Sequence, residues 1–328
     1  SQLTRLALKI KDSLKQKIKD SLKQKKVKCR WVASREINLS SVVVKTNKLL
    51  SKKGIEIILL IALDKIFIGK TLAVQEFAEL EKRDCGRPAR DAKSGMLPPK
   101  LAKIMINLGL ADNYNNLKMR GSITILDPFC GSGTIISEAL NMFTGAKPNL
   151  TLDRKIELAR IIGVDISETA INQAQANINW LIATINLPVL NRPKLTFLIS
   201  DVKNLSKNIA PQSVNLIITE PYLGPPMRGD ESLNQLQRIQ AELKILYLQT
   251  FAEFKKILQP KLNRTVIIFP IFKTKTGDKY LDILIDLKKI GFQLNKFPDI
   301  SVNRRGGLEY GRTGQKIWRE IFVFEAVH

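Results

Sequence analysis

The sequence predicts an α/β fold: a parallel sheet covered by helices on both faces, with a small α+β region ahead of it. Three observations carry this prediction. From residue 121 onward, short apolar or β-branched runs at 121–127, 160–165, 195–200, 214–219 and 265–269 alternate with helix-spaced apolar segments, an order that calls for a parallel, doubly covered sheet. Four of these runs end in an acid or are followed by one, Asp127, Asp165, Asp201 and Glu220, and in an open α/β sheet the carboxyl ends of the strands share one crevice. The third is length, since 328 residues leave room for about two domains. A shift to Arg-, Gly- and Pro-rich composition at 81–100 sets the expected division into an α+β region at 1–80 and an α/β domain at 81–328.

Composition narrows the chemistry before any motif is read. Hydrophobic residues make up 44% and charged residues 25% of the chain, and no apolar run reaches the ~18 residues a membrane span needs. Cys29, Cys85 and Cys130 are too few and too scattered for a disulfide framework or a zinc site, so the cytoplasm is the expected compartment. The lone histidine is the last residue, His328, which argues against histidine-based catalysis and metal binding. The net charge of +23 calls for a polyanionic partner, nucleic acid first among them.

Taken in order, residues 9–16 repeat identically at 17–24, and Ile10, Leu14, Ile18 and Leu22 fall four apart on one face of a basic amphipathic helix. A short strand is expected at 27–32, a helix around 39–50, and strands at 55–63 and 65–73 joined by a turn at Asp64-Lys65. The loop at 81–100 gathers Arg83, Arg87, Arg90, Lys93 and Lys100 around Asp84 and Asp91, so its arginines either hold phosphates or pair with those acids. Pro98 and Pro99 suit a helix's first turn, and Leu101, Ile104, Met105 and Leu108 continue it. After the strand at 121–127 a glycine loop leads into a helix carrying Ile135, Ile136, Ala139 and Leu140. Ser167 caps a helix with Ile171, Ala174, Ile178 and Leu181 on one face, and a long helix runs over 233–258. Arg304, Arg305 and Arg312 lie in a basic loop expected to be mobile, suited to clamping a nucleic-acid backbone, before a last strand at 317–324 in which Trp318 reads as core.

The glycine loop, Asp127-Pro128-Phe129-Cys130-Gly131-Ser132-Gly133-Thr134, discriminates among nucleotide-type ligands. A phosphate loop needs Gly-Lys-Ser/Thr, and no lysine follows Gly133. A dinucleotide fingerprint wants a third glycine where Ile136 stands, and an acid closer than Asp165. S-adenosylmethionine fits what is left: Asp127 toward its amino-acid end, Gly131 and Gly133 beside methionine and ribose, and Asp165 for the ribose hydroxyls. The turn Glu220-Pro221-Tyr222 after the strand at 214–219 presents a carboxylate and backbone carbonyls in fixed directions, the arrangement needed to hold the two hydrogens of an exocyclic amine. A cytosine C5 mechanism is excluded because no cysteine stands at that turn. A DNA or ribosomal-RNA amino-methyltransferase, or a noncatalytic RNA-binding protein with the same fold, would share these features.

Arg83-Asp84 with Arg87-Pro88, the run Gly95-Met96-Leu97-Pro98-Pro99-Lys100-Leu101-Ala102, Leu126 through Thr134, and Thr219-Glu220-Pro221-Tyr222 together resemble the tRNA guanine-10 N2-methyltransferases and their bacterial relatives. The resemblance covers most of the chain and extends to Leu39 through Val44, to Tyr310-Gly311-Arg312, and to Gln315 with Arg319-Glu320-Ile321. It implies a Rossmann-like methyltransferase sheet, an RNA-binding N-terminal half of the THUMP type, and N2-methylation of a tRNA guanine without a metal. It also implies Met96, Phe129, Thr134, Ile166 and Asp201 as further cofactor contacts, and Arg83 and Arg87 with Arg304, Arg305 and Arg312 as RNA contacts. Two departures stand out. Glu220-Pro221-Tyr222-Leu223 replaces the usual Asp/Asn-Pro-Pro-aromatic, and residues 1–80 are short for a THUMP half.

Overall fold

The computed structural model describes residues 2–32, 39–62, 65–90, 96–111, 121–144, 156–261, 263–295 and 300–327. Asp64 of the expected turn, and Asp91, Lys93 and Gly95 of the basic loop, lie outside the described residues. The chain divides into two compact units, Ser1–Glu81 and Lys82–His328.

In the first unit, helix α1 (Gln2–Gln24) spans the repeat, with Lys9, Lys17, Lys19 and Lys23 exposed and Ile10, Leu14, Ile18 and Leu22 half-buried. Residues 27–32 form no strand, contrary to expectation. Val27, Lys28, Cys29 and Arg30 are exposed, and the unit's described sheet is a two-stranded ladder of β1 (Ile57–Ile61) and β2 (Ile66–Lys70) that leaves this run unpaired. Both strands are shorter than their apolar runs. Helix α2 (Ser41–Thr46), capped by the Ser40 hydroxyl, occupies only part of the expected 39–50, because the chain turns at Lys48 with φ +55°.

In the second unit the sheet order is β10-β11-β7-β6-β3-β4-β5. The parallel strands are β3 (Gly121–Asp127), β4 (Ile156–Asp165), β5 (Lys194–Ile199), β6 (Leu216–Thr219) and β7 (Arg264–Thr274), while β11 (Ile317–Ala326) and β10 (Leu308–Tyr310) run antiparallel at the far edge. Short strands β8 (Gly277–Tyr280) and β9 (Phe292–Leu294) pair with β7 and β11. This is a doubly wound order whose direction reverses between β3 and β6, the place where an open α/β sheet binds ligands.

Alternation along the strands sorts the core into two layers. Ile123, Ile125, Leu216, Ile218, Val266 and Ile268 meet helices α4 (Pro99–Leu110), α5 (Thr134–Thr144) and α6 (Glu168–Thr184) on one face. Leu126, Ile217, Ile267 and Phe269 meet α7 (Leu205–Asn208), α8 (Leu233–Ile257) and α9 (Leu284–Lys289) on the other. Helix starts follow the sequence: Pro98 and Pro99 open α4, the Ser167 hydroxyl caps α6, and Ser232 with Gln235 forms a capping box on α8. Among the described residues, no helix is long and apolar enough to cross a membrane.

Candidate active site

The loop between β3 and α5 is pinned to the end of β4. Cys130 donates its backbone N–H to the Val164 carbonyl at 2.9 Å, and Gly131 donates its own to Asp165 Oδ2 at 2.9 Å. Asp165 Oδ1 accepts the Ser167 N–H at 2.9 Å, so the one carboxylate organises the glycine loop and the start of α6. The two glycines do different work, although the sequence reading gave both to the ligand. At Gly131 (φ +50°) a Cβ would meet nothing within 4 Å, leaving an open cradle, whereas at Gly133 (φ +83°) it would stand 3.0 Å from Ala174 Cβ. Gly133 therefore lets α6 pack against the loop. Asn177, buried in α6, donates to the Ser132 and Ala89 carbonyls and accepts the Ala89 N–H, each at 2.9 Å.

Asp127 is 2% exposed and accepts the Thr219 hydroxyl at 2.8 Å and the Phe129 N–H at 3.3 Å. Burial pushes its carboxyl up to about 7; the two hydrogen bonds oppose the shift, and the nearby Asp165 and Glu220 carboxylates add to it. Ile166, next to Asp165, is 72% exposed, an aliphatic face beside the crevice, and Phe129 is half-buried. Asp201 caps the short turn at 202–204 by accepting the Lys203 N–H at 2.9 Å and stays partly exposed.

Glu220 follows β6, and its carboxylate takes a forked pair of bonds from Arg319 on β11, 2.5 Å from Nε to Oε1 and 3.3 Å from Nη2 to Oε2. Burial raises the Glu220 pKa and Arg319 opposes that rise. Pro221 is buried and Tyr222 is 56% exposed, with its carbonyl accepting the Tyr247 hydroxyl from α8 at 2.6 Å. The sequence reading found Asp127 and the Glu220 turn but missed their supports: Thr219 for Asp127, Arg319 for Glu220 and Tyr247 for the Tyr222 carbonyl. An arginine inside the apolar run of β11 was the available signal.

Arg83 and Arg87 are corrected. Both are buried; Arg83 Nε donates to the buried Glu138 at 2.6 Å, and Arg87 Nη1 donates to Thr134 Oγ1 at 2.7 Å, with Nη2 2.9 Å from Met96 Sδ. Neither guanidinium is presented to a phosphate backbone; the Asp84 charge favours the protonated form of Arg87, and Asp91, the other acid of the alternative, lies outside the described residues. A buried Glu138 in the apolar run of α5 demands a cationic partner, and Arg83 supplies it. Arg305 is corrected too: it pairs with the fully buried Glu320 at 3.1 Å and donates to the Leu281 carbonyl at 2.7 Å, so it fastens its loop. Arg304 and Arg312 are exposed. Trp318 is half-buried, with Lys273 Nζ 3.8 Å from its ring centroid.

Residues 120–288 match a family model described as a methyltransferase domain, a span that holds the glycine loop, the three remaining acids and the Glu220 turn. The chain belongs to this methyltransferase family. Its cofactor is S-adenosylmethionine. No curated protein matches it in sequence. Among solved structures, the methyltransferase is similar to a possible methylase from Clostridium difficile 630, at 18% identity over 96% of this chain and 69% of that one, with a TM-score of 0.45. It is also similar to the methyltransferase subunit of a type I restriction-modification system from Streptococcus thermophilus, at 13% identity over 71% and 44% of the two chains and a TM-score of 0.43. An rRNA methylase from the same organism matches at 9% identity, over 66% of this chain and 95% of its own, with a TM-score of 0.35.

The residues of the methyltransferase fit that cofactor. The groups around Asp127 are a hydroxyl, a backbone N–H and two carboxylates, an environment short of positive charge that suits a ligand bearing an ammonium and a sulfonium. Gly131 leaves space above the loop, and Asp165, with both oxygens already ordered by backbone N–H groups, keeps lone pairs for ribose hydroxyls. When bound, S-adenosylmethionine supplies the electrophilic methyl; these residues would hold and orient it.

Replacing Asp165 with Ala should weaken S-adenosylmethionine binding by about 1–3 kcal/mol, read by calorimetry. Unchanged affinity would remove Asp165 from the site. Asp127 sets a pH dependence of stability: with a folded pKa of about 7 against an ordinary 3.8, it keeps its proton in the folded state where the unfolded chain has released it. Its contribution therefore falls as pH rises from about 4 to about 7, by on the order of 4 kcal/mol, and is flat above. Denaturant titrations of wild type and Asp127→Asn across that range should show a steeper fall in the wild type; parallel curves would contradict the shift.

Proposed function

We propose that the methyltransferase transfers a methyl group to the exocyclic N2 amine of a guanine in tRNA, guanine 10. The observation that carries this reading is Glu220, an acid held by Arg319 at the end of β6, one strand from Asp127. An exocyclic amine has its lone pair delocalised into the base, so the enzyme's share is to accept its two hydrogens and set the nitrogen in line with the methyl. The exposed ring of Tyr222 beside Glu220 offers a stacking surface for the base. A duplex-buried guanine must first be exposed or flipped to reach this turn.

RNA as substrate is supported by the net charge of +23 and by where the basic groups stand. Lys19, Lys23, Lys26 and Lys28 line a hollow at the end of α1, and Arg304 and Arg312 are exposed in the second unit. The first unit is read as the RNA-binding region, and the cytoplasm as the compartment. The motifs quoted above, from Arg83-Asp84 to Glu220-Pro221-Tyr222, are what single out the tRNA guanine-N2 class.

With tRNA and labelled cofactor the product should be N2-methylguanosine, and Glu220→Ala should lose turnover far more than RNA affinity. Nucleoside analysis decides: label in N6-methyladenosine or in a C5-methylpyrimidine would refute the guanine assignment. RNA binding should weaken with salt at a log–log slope of about −0.7 to −0.9 per phosphate contact. A flat dependence in filter-binding titrations would show that the basic groups do not meet the backbone.

A further inference from the structure

We propose that Arg319 is a positioning residue for methyl transfer, fixing the Glu220 carboxylate in charge and orientation so that a remaining acceptor site meets one hydrogen of the substrate amine. The inference rests on the reading of Glu220 given above. Arg319 reaches Glu220 from two strands away, from a β11 position that faces Pro270 on β7 and Tyr310 on β10. The side chains are 12% and 13% exposed, and Nε and Nη2 each take one carboxylate oxygen. A planar guanidinium fork sets both the rotation and the plane of a carboxylate, which an ammonium cannot do. A carboxylate offers about four acceptor sites, and the fork uses two of them. Those left over lie on different oxygens and point apart, so one of them takes a single amine hydrogen.

The groups facing Glu220 come from three elements: Arg319 on β11, Asp127 at the end of β3 and Tyr247 on α8. Of these three, only Arg319 carries positive charge. Without it, a buried carboxylate would sit beside a second carboxyl group and a phenol, and would take up a proton at higher pH. Protonation would turn an acceptor into a donor and disable the contact with the amine.

The test uses the full chain with carboxyl-¹³C glutamate, the Glu220 resonance being assigned by its absence in Glu220→Gln. In Arg319→Gln the Glu220 titration midpoint should rise by about one pH unit or more. With tRNA as substrate, kcat near pH 6.5 should fall by at least about tenfold, recovering as pH rises, while KM for RNA stays put. Arg319→Lys keeps the charge and loses the fork: its midpoint should stay near wild type while kcat drops severalfold. An unmoved midpoint in Arg319→Gln, or full activity in Arg319→Lys, would overturn the proposal and leave the pair a structural brace. A Glu220→Gln enzyme with wild-type turnover would instead overturn the underlying reading of Glu220, so the two failures are distinct.

Discussion

The crevice depends on one hydrogen bond, from the Thr219 hydroxyl to Asp127, between groups that are 0% and 2% exposed. Strands β3 and β6 pair over only two positions, Ile125↔Leu216 and Leu126↔Ile217. Beyond them the sheet reverses its winding and the following chain departs to opposite faces. The Thr219–Asp127 bond spans the strand ends where the ladder has stopped, and so fixes the separation between the cofactor loop and the Glu220 turn. A buried hydroxyl–carboxylate contact is directional in a way that apolar packing is not, and the positions of Glu220 and Phe129 on either side inherit that precision.

Around this bond the site is an acid cluster in a protein that is otherwise strongly basic. Asp165 and Glu220 add to the rise of the Asp127 pKa, and each of the three carboxylates is held by a partner from a different element: backbone N–H groups for Asp165, Thr219 for Asp127, Arg319 for Glu220. Such a cluster is unstable as three free anions and stable with a cationic ligand in its midst, which is a reason for the local sequence to be acidic while the rest is not.

The strand ends were legible because an acid following an apolar run in a βαβ pattern has few structural uses. The supports of those acids were not, since Arg319 is 99 residues from Glu220 and Thr219 is 92 from Asp127, and partner choice at that separation is a property of the folded sheet. Strand β7 was read too short for a related reason. The apolar run was read as 265–269, yet β7 continues through Pro270 to Thr274. Lys273 donates its N–H toward β11, so by alternation Pro270 would point its missing one toward β6, whose pairing has already ended at Ile267. The basic loop misled because composition does not report burial: Arg83 and Arg87 look like phosphate ligands until Glu138 and Thr134 are seen to hold them. At 27–32 a short run read as a strand found no neighbour to pair with.

Arginine and lysine differ in depth. Arg83, Arg319, Arg305 and Arg264 are buried or half-buried in their pairs with Glu138, Glu220, Glu320 and Glu325, whereas Lys103 and Lys256, which reach the buried Glu138 and Glu253, keep 27% and 58% of their side chains exposed. The excess of +23 lies largely on the solvent side, where lysine predominates. Lysine is a hydrated point charge on a flexible stem and grips a polyanion without choosing a register. On the nucleic-acid substrate proposed above, a chain built this way would hold loosely and slide, and the halt that selects one nucleotide would have to come from the shape of the crevice itself.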